Sequence, residues 1–468
     1  MNETWKDTSN NADEDLFLGV TTTYEDLFES WVFFLALFAI GDVLCRRLLR
    51  VVPPLVGYIV VGMSLGPEGF GWVPYEEAWV LLGNLGLVLL IAQAGLEMDL
   101  EILRKIGVRG LLIAVVGSIL PISLGMLLSW AALNQRGSTV IAMGCCFGPT
   151  SAGIAINVLG QCGVLERPVG QLVLAAAIVD DILALLVLSQ LQALTAQGDV
   201  HATEIVIPII SAFAWLFVGG GLALVAAPVL FERFFQWTRS EICSRFLDQF
   251  RLDRQATPDI KRERTRLALG TMLLLIFILL PATTYSRASY LLGAFLAGLA
   301  FCQEPGLDQK FKKEFEILIQ WLMMIFFAAT IGFQVPVSLF GDGTVLRHGF
   351  LLSAALLGKI AVGPLLTPKF DDTMHFWRGD HLRDCMVVGF SMSSEAEFAF
   401  VVAVFGVTEG LIPPELYASV VLAILLSTIV SPLLLRTTLA LAPFPPTMVT
   451  NDDIRDPQEC DKNGIDPE

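Results

Sequence analysis

Two adjacent carboxylates, Asp180 and Asp181, interrupt an otherwise apolar run, Leu172-Val-Leu-Ala-Ala-Ala-Ile-Val-Asp-Asp-Ile-Leu-Ala-Leu-Leu-Val-Leu188. In a run long enough to cross a bilayer, each buried charge costs at least ~2.5–3.5 kcal/mol. Such a pair persists only where it is paired, hydrated or protonated. Neighbours on a helix point about 100° apart, so the two acids do different work: one faces a water-filled cavity, the other a packed helix. A carboxylate there holds a proton or a metal cation, but not both at once. Lys359, in Leu356-Leu-Gly-Lys-Ile-Ala-Val-Gly363, is the one basic residue deep inside a run. Unpaired it would lose its proton or snorkel outward; pairing with an aspartate resolves both problems. Glu395 and Glu397 stand at a second interrupted run, Glu395 at the break and Glu397 inside, where each serves equally well as a helix-terminal group without ion contact. Asp42, Glu97 and Asp99 fall at run boundaries and read as interfacial.

The elements that position these residues are apolar and many. The 468 residues are 54% hydrophobic and 16% charged, against about 25% charged for soluble domains. Thirteen apolar runs lie at roughly 28–45, 54–66, 78–97, 108–133, 138–160, 168–193, 205–231, 267–284, 289–302, 315–333, 348–368, 384–406 and 416–441. Nearly all approach the ~20 residues that span a bilayer, which predicts an all-α polytopic membrane protein. Basic residues orient it. Arg46, Arg47 and Arg50, then Arg104, Lys105 and Arg109, nine Arg/Lys between 233 and 266, Lys310, Lys312 and Lys313, and Lys369, Arg378 and Arg383 all fall on one side if the runs alternate. The other side carries Lys6, Arg136, Arg287 and Arg347. The N-terminus is therefore expected outside and the C-terminus in the cytosol. The cytosolic stretch 232–266, with Phe235, Ile242, Phe246 and Phe250 near helical spacing, reads equally as an interfacial helix or as an Arg-rich connector.

Runs one to six and eight to thirteen look like two copies of one design. Gly57-Tyr-Ile-Val-Val-Gly62 matches Gly293-Ala-Phe-Leu-Ala-Gly298; Ala94-Gly95 matches Ile331-Gly332; Gly160-Gln-Cys-Gly163 matches Gly406-Val-Thr-Glu-Gly410. Six runs plus one linker place the copies in opposite orientations, the arrangement in which secondary transporters hold substrate mid-membrane. The expected domains are an acidic extracytoplasmic tail (1–27), a first inverted repeat (28–193), a linker span with its Arg-rich loop (194–266), a second repeat (267–441) and an acidic cytosolic tail (442–468). Gly148-Pro149-Thr150-Ser151-Ala152-Gly153 and Ser391-Met392-Ser393-Ser394-Glu395-Ala396-Glu397 predict two discontinuous helices, one per repeat, since proline breaks the ladder and such breaks survive in a bilayer only against water, ions or protein.

Other classes are excluded. The net charge is −16, most of it in the two tails: eight acids against Lys6 in residues 1–30, and seven against Arg455 and Lys462 in residues 447–468. Nucleic-acid binding has no support. The eight cysteines lack CxxC spacing and read as small buried hydrophobes, and the four histidines form no HExxH, so neither a zinc site nor any cofactor is expected. The acidic N-terminus lacks the basic region of a cleaved signal. Glu459-Cys-Asp-Lys-Asn-Gly464 starts like a calcium loop but lacks its closing glutamate. An intramembrane aspartyl protease needs one aspartate from each of two helices, whereas both acids here share one; no enzyme is expected.

Across residues 30–440 the chain resembles the monovalent cation:proton antiporters of the Kef and Nap type. The resemblance is carried by Pro54-Leu-Val-Gly-Tyr-Ile-Val-Val-Gly-Met-Ser-Leu-Gly-Pro67, Leu82-Gly-Asn-Leu-Gly-Leu-Val-Leu-Leu-Ile-Ala-Gln-Ala-Gly-Leu-Glu-Met-Asp99, Gly148-Pro-Thr-Ser151 and Gly170-Gln-Leu-Val-Leu-Ala-Ala-Ala-Ile-Val-Asp-Asp181. It implies a transporter exchanging Na⁺ or K⁺ for protons, embedded in the bilayer as a homodimer. It further implies that Asp181 carries the cation or proton, that Asp180 pairs with Lys359, and that Thr150 and Ser151 lie at the crossover of unwound helices. Asp180-Asp181 stands where Kef-type systems have Gln-Asp, while Glu397-Phe-Ala-Phe-Val401 is Kef-like. About 25 residues follow the last run without a GxGxxG, so no cytosolic nucleotide-binding domain is expected there. The alternative on the same fold is a non-coupled channel or sensor.

Overall fold

The computed structural model describes residues 15–17, 20–41, 43, 53–98, 107–194, 202–238, 260–341, 343–369, 380–395 and 397–444. Asp42, Asp99, Arg46, Arg47, Arg50, Arg104, Lys105, Arg378, the spaced aromatics of 239–259 and most of both acidic tails, including 459–464, lie outside these residues.

Helices make up almost everything described. Eight are long and apolar enough to cross a membrane: Glu76–Leu96, Val108–Ala131, Pro168–Leu191, Ile210–Thr238, Glu263–Tyr285, Gly343–Leu366, Asp380–Thr408 and Pro414–Leu441. Among the described residues the one departure from all-α is a small antiparallel hairpin, β1 Asp15–Phe17 with β2 Val20–Thr22. The other apolar runs form shorter or divided helices. In chain order the helices are α1 Tyr24–Ala36, α2 Pro54–Leu65, α3 Glu76–Leu96, α4 Gly107–Ala131, α5 Ser138–Cys145, α6 Ala152–Gln161, α7 Pro168–Leu194, α8 Ala202–Ala214 and α9 Gly220–Thr238. They continue as α10 Ile260–Tyr285, α11 Tyr290–Leu299, α12 Leu307–Ile319, α13 Ala328–Phe333, α14 Gly343–Leu352, α15 Leu357–Leu366, α16 Asp380–Met392, α17 Glu397–Thr408 and α18 Pro414–Leu441. Local signals fix several starts. Thr23 and Asp26 form a capping box on α1, Ser151 caps α6, Ser289 caps α11, and prolines open α2 and α18.

The helices sort into two bundles. In one, α3 packs on α11, α11 on α10, and α2 on α13. In the other, α4 packs on α5, α7 and α15, while α16 and α18 lie together with α15 and α14. Glycine sets the closest crossings. A Cβ at Gly62 would stand 1.9 Å from the Ala329 carbonyl and one at Gly332 2.5 Å from the Ile59 carbonyl, so α2 and α13 cross backbone to backbone. The same relation holds between α3 and α11: a Cβ at Gly95 would meet the Phe295 carbonyl at 2.1 Å, and one at Gly298 the Ala92 carbonyl at 1.9 Å. In the second bundle, Gly363 and Gly389 bring α15 and α16 together in this way. In lipid, where apolar burial does not drive helix association, close approach of this kind supplies the packing energy.

Two sequence expectations change here. Arg383, counted with a cytosolic loop, is only 6% exposed, because α16 begins at Asp380 and carries it inward; Lys359 is thus not the only cation buried in a span. The described cysteines are not uniformly buried: Cys145, Cys146 and Cys385 are, Cys302 is intermediate and Cys162 is exposed.

Candidate functional site

The two interrupted runs meet. Helix α5 stops at Cys145 and α6 starts at Ala152; α16 stops at Met392 and α17 starts at Glu397. The extended segments between them cross, with the Ser151 amide donating to the Ser394 carbonyl at 2.6 Å and the Thr150 hydroxyl to the Met392 carbonyl at 3.1 Å. The broken backbone is repaired from α18: Ser431 donates to the Ser393 carbonyl at 3.0 Å and Thr428 to the Glu395 carbonyl at 2.7 Å. Each otherwise orphaned carbonyl in lipid costs several kcal/mol, which explains a row of hydroxyls on an otherwise apolar helix.

Lys359 is fully buried at this crossing. A Cβ at Gly358 would stand 3.0 Å from the backbone of Pro121, so α15 lies hard against α4 and carries the lysine in. Its ammonium donates to the Pro149 carbonyl, freed by the break, and to the Thr150 hydroxyl at 3.1 Å. The carboxylate within ion-pairing distance is Glu395, with Oε1 at 3.7 Å and both residues at 0% exposure. Ser427 reaches the other oxygen of Glu395 at 3.5 Å. Asp180 stands within electrostatic reach of the same ammonium, but no Asp180–Lys359 ion pair forms among the described residues. The pairing implied by the resemblance is thus replaced in this conformer by Lys359–Glu395, since the break delivers Glu395 directly beside the lysine.

Asp180 is 1% exposed. One oxygen is hydrogen-bonded by Ser118 of α4, and Oδ2 is buried without a donor. Ser118 Oγ also lies 3.0 Å from the Ala114 carbonyl. A hydroxyl has one proton, so Ser118 donates to Asp180 when the carboxylate is ionised, or to Ala114 while accepting from Asp180 when it is protonated. Asp181, one position on, is half-buried and faces a different neighbour, lying close enough to Glu397 and Asp180 for their charges to act on it. Glu397 opens α17. Thr150 and Ser151 are 5% and 4% exposed; their hydroxyls are committed to the crossing, Ser151 Oγ accepting from the Ile154 amide at 3.4 Å. Two carboxylates, Glu395 and Asp180, thus act on the one ammonium, and Asp181 stands beside Asp180 and Glu397 in turn. Among the described residues, no three His, Cys, Asp or Glu side chains close into a metal-ligating group.

Ser118 has no sequence signal, being one serine in an apolar run. A second feature was also illegible. At the far end of α7 from Ser189, the guanidinium carbons of Arg383 and Arg167 lie 3.6 and 4.7 Å from the centre of the Phe444 ring. Arg383 is bonded to Asp384 at 3.1 Å and Asp380 at 2.8 Å. The start of the C-terminal tail is thereby tied to the ends of α7 and α16.

Residues 32–441 match the family model described as sodium/hydrogen exchanger, transmembrane. The chain belongs to this family. Its members are transporters, not enzymes. Among curated relatives, a Na(+)/H(+) antiporter of Enterococcus hirae is 27% identical over 403 residues, covering 85% of this chain and 94% of that one. The Na(+)/H(+)-K(+) antiporter GerN of Bacillus cereus is 23% identical over 386 residues, covering 82% and 90%. Among solved structures, the sodium proton antiporter MjNhaP1 of Methanocaldococcus jannaschii superposes with a TM-score of 0.59 at 16% identity, covering 88% of this chain and 99% of that one. At that identity the likeness is one of fold. With its apolar helices, the family membership makes this exchanger-family protein an integral, multi-pass membrane protein.

Proposed function

We propose that the protein exchanges a monovalent cation, Na⁺ or K⁺, for protons by alternating access, with cation and proton competing for Asp181. The observation that carries this reading is the charge count at the crossing: Asp180, Asp181, Glu395 and Glu397 against Lys359 alone. Even with the lysine charged, three negative charges remain to be balanced when all four acids are ionised. Burial that deep is tolerated only with compensation, and mobile protons and a cation supply it. The named activities of the relatives agree.

The carbonyls of Pro149, Met392, Ser393, Ser394 and Glu395 are engaged by protein donors, so a cation finds its oxygen ligands chiefly at carboxylates. Asp181 is half-buried and so reachable; Asp180 Oδ2 is the donorless oxygen beside it. Ser118 keeps Asp180 hydrogen-bonded in either protonation state, which lowers the cost of passing a proton through it. Lys359 alternates between Glu395 and Asp180 as the charge at the site changes. If net charge moves in each cycle, voltage contributes ~2.3 kcal/mol per charge per 100 mV.

The inverted-repeat reading is supported by the glycine crossings. Gly62 corresponds to Gly298 and Gly332 to Gly95 in the sequence match, and these four residues build the α2–α13 and α11–α3 crossings. Each crossing is the image of the other under exchange of repeats. Rocking of the α4–α7/α14–α18 bundle against the other then exposes the site to each side in turn, with the Arg/Lys-rich side cytosolic.

The test is proton efflux from proteoliposomes on adding Na⁺, K⁺ or Li⁺ under a clamped potential, with wild type and Asp181→Asn in parallel. Cation-triggered efflux abolished by Asp181→Asn is expected. Efflux indifferent to that substitution overturns the role of Asp181, and a steady current without exchange establishes a channel instead.

A further inference from the structure

Three side-chain hydrogen bonds that join the two bundles among the described residues lie at the same end. Tyr417 of α18 donates its hydroxyl to the Ile331 carbonyl of α13 at 3.0 Å. Ser189 of α7 accepts from the amide of Ser289, the cap of α11, at 3.1 Å. Thr408, last in α17, meets the side chain of Gln334 just beyond α13 at 3.4 Å. The opposite end is marked by Arg167 and Arg383 around Phe444. On α7, Ser189 is about 33 Å from Arg167 at 1.5 Å per residue, so the three bonds and the Phe444 contact stand on opposite sides of the bilayer core. The positive-inside argument puts the bonded end outside.

Tyr417 is the member with no other reason to be polar. It is the largest fully buried side chain among the described residues, at 0% exposure. A phenylalanine would fill the same space, and a buried phenol is tolerated only where its hydroxyl has a partner. That partner is a carbonyl in the last turn of a six-residue helix, where no intrahelical donor is available; the Val335 amide goes to Gly332 instead. The hydroxyl therefore does one thing: it spans the interface across which the bundles must slide.

We propose that Tyr417 is a positioning residue, the central member of an extracytoplasmic latch. Its hydroxyl, supported by the Ser189–Ser289 and Thr408–Gln334 contacts, holds the bundles together in the conformer closed to the outside. Release of the Tyr417–Ile331 bond is part of the step that opens the ion site outward. The inference rests on the exchange reading above.

The test is Tyr417→Phe, which removes one oxygen and no volume. Loss of one buried hydrogen bond moves a two-state balance roughly five- to tenfold. Apparent affinity on each face scales with the fraction of protein open to it, so the ratio of cytosolic to extracytoplasmic KM for the cation rises by that factor. Ser189→Ala moves it the same way. A purely structural lesion lowers folded yield or maximal rate and leaves the ratio alone. A second readout needs no transport: with the eight native cysteines replaced by serine or alanine, Gln334→Cys with Thr408→Cys is cross-linked by an oxidant, and Tyr417→Phe is expected to slow cross-linking severalfold. An unchanged ratio together with unchanged cross-linking overturns the latch. A ratio shifted the other way overturns its extracytoplasmic assignment. Slowed cross-linking in a protein that exchanges no cation upholds the latch while the exchange reading fails.

Discussion

Removing Glu395 strands a buried ammonium, and the size of that effect follows from the geometry. At 3.7 Å, opposite unit charges attract by about 4.5 kcal/mol at an effective dielectric of ~20. Breaking such a pair from one side typically costs about 3–5 kcal/mol, because Lys359 keeps as direct partners the neutral Pro149 carbonyl and Thr150 hydroxyl, with the Asp180 charge acting from farther off. For a chain this long, each kcal/mol lowers the unfolding temperature by roughly 1–2 °C. Glu395→Gln is therefore expected to melt about 3–10 °C below wild type in detergent. Lys359→Gln strands the carboxylate and acts similarly, whereas the double substitution recovers much of the loss. The cycle should return a coupling of about 2 kcal/mol or more for Lys359 with Glu395, and a smaller one for Lys359 with Asp180. A coupling below about 0.5 kcal/mol for Glu395, with the larger value at Asp180, refutes the pairing assigned to this conformer.

Three further perturbations separate parts of the account. Ser118→Ala removes the Ser118 hydrogen bond to Asp180 and is expected to slow exchange by at least tenfold while leaving the folded yield intact; unchanged rates across pH remove Ser118 from the proton path. Gly298→Ala drives a methyl into the Ala92 carbonyl, whereas Gly153→Ala meets nothing within 4 Å, so size-exclusion profiles should show aggregation for the first and a native peak for the second. Phe444→Ala removes two guanidinium–ring contacts of about 0.5–1 kcal/mol each and should lower the melting temperature by a few degrees; a melting temperature within about one degree of wild type dismisses the contact as incidental.

What the sequence made legible was chemistry that violates its surroundings. Asp180, Asp181 and Lys359 were recognisable because charge is costly in an apolar run, and the crossing was readable from Pro149 and from the serine cluster before Glu395. The proposed repeat drew on glycine spacing because close backbone crossings demand glycine, and four of the matched glycines are those at which α2 meets α13 and α3 meets α11. Partner choice was not readable. Which acid reaches Lys359 depends on where two extended segments cross, and that is set only by the whole set of hydrogen bonds that Ser151, Thr150, Thr428 and Ser431 donate to carbonyls. Ser118, Ser189 and Tyr417 escaped for the opposite reason: a lone hydroxyl in an apolar helix ordinarily bonds its own preceding turn, as Ser129 does with Gly125, and nothing local marks those that bond elsewhere. Arg383 was misplaced because its compensation comes from Asp380 and Asp384 beside it and from Phe444 sixty residues away.

The central claim is that a proton and a cation compete for Asp181. It is tested most directly by the pH dependence of the cation KM in proteoliposomes, with voltage clamped and both faces held at the same pH. Competition predicts that acidification raises KM, approaching about tenfold per pH unit where one proton excludes one cation, while the rate at saturating cation is retained, and that Asp181→Asn abolishes exchange altogether. A KM independent of pH, or acid inhibition that saturating cation does not relieve, would contradict it.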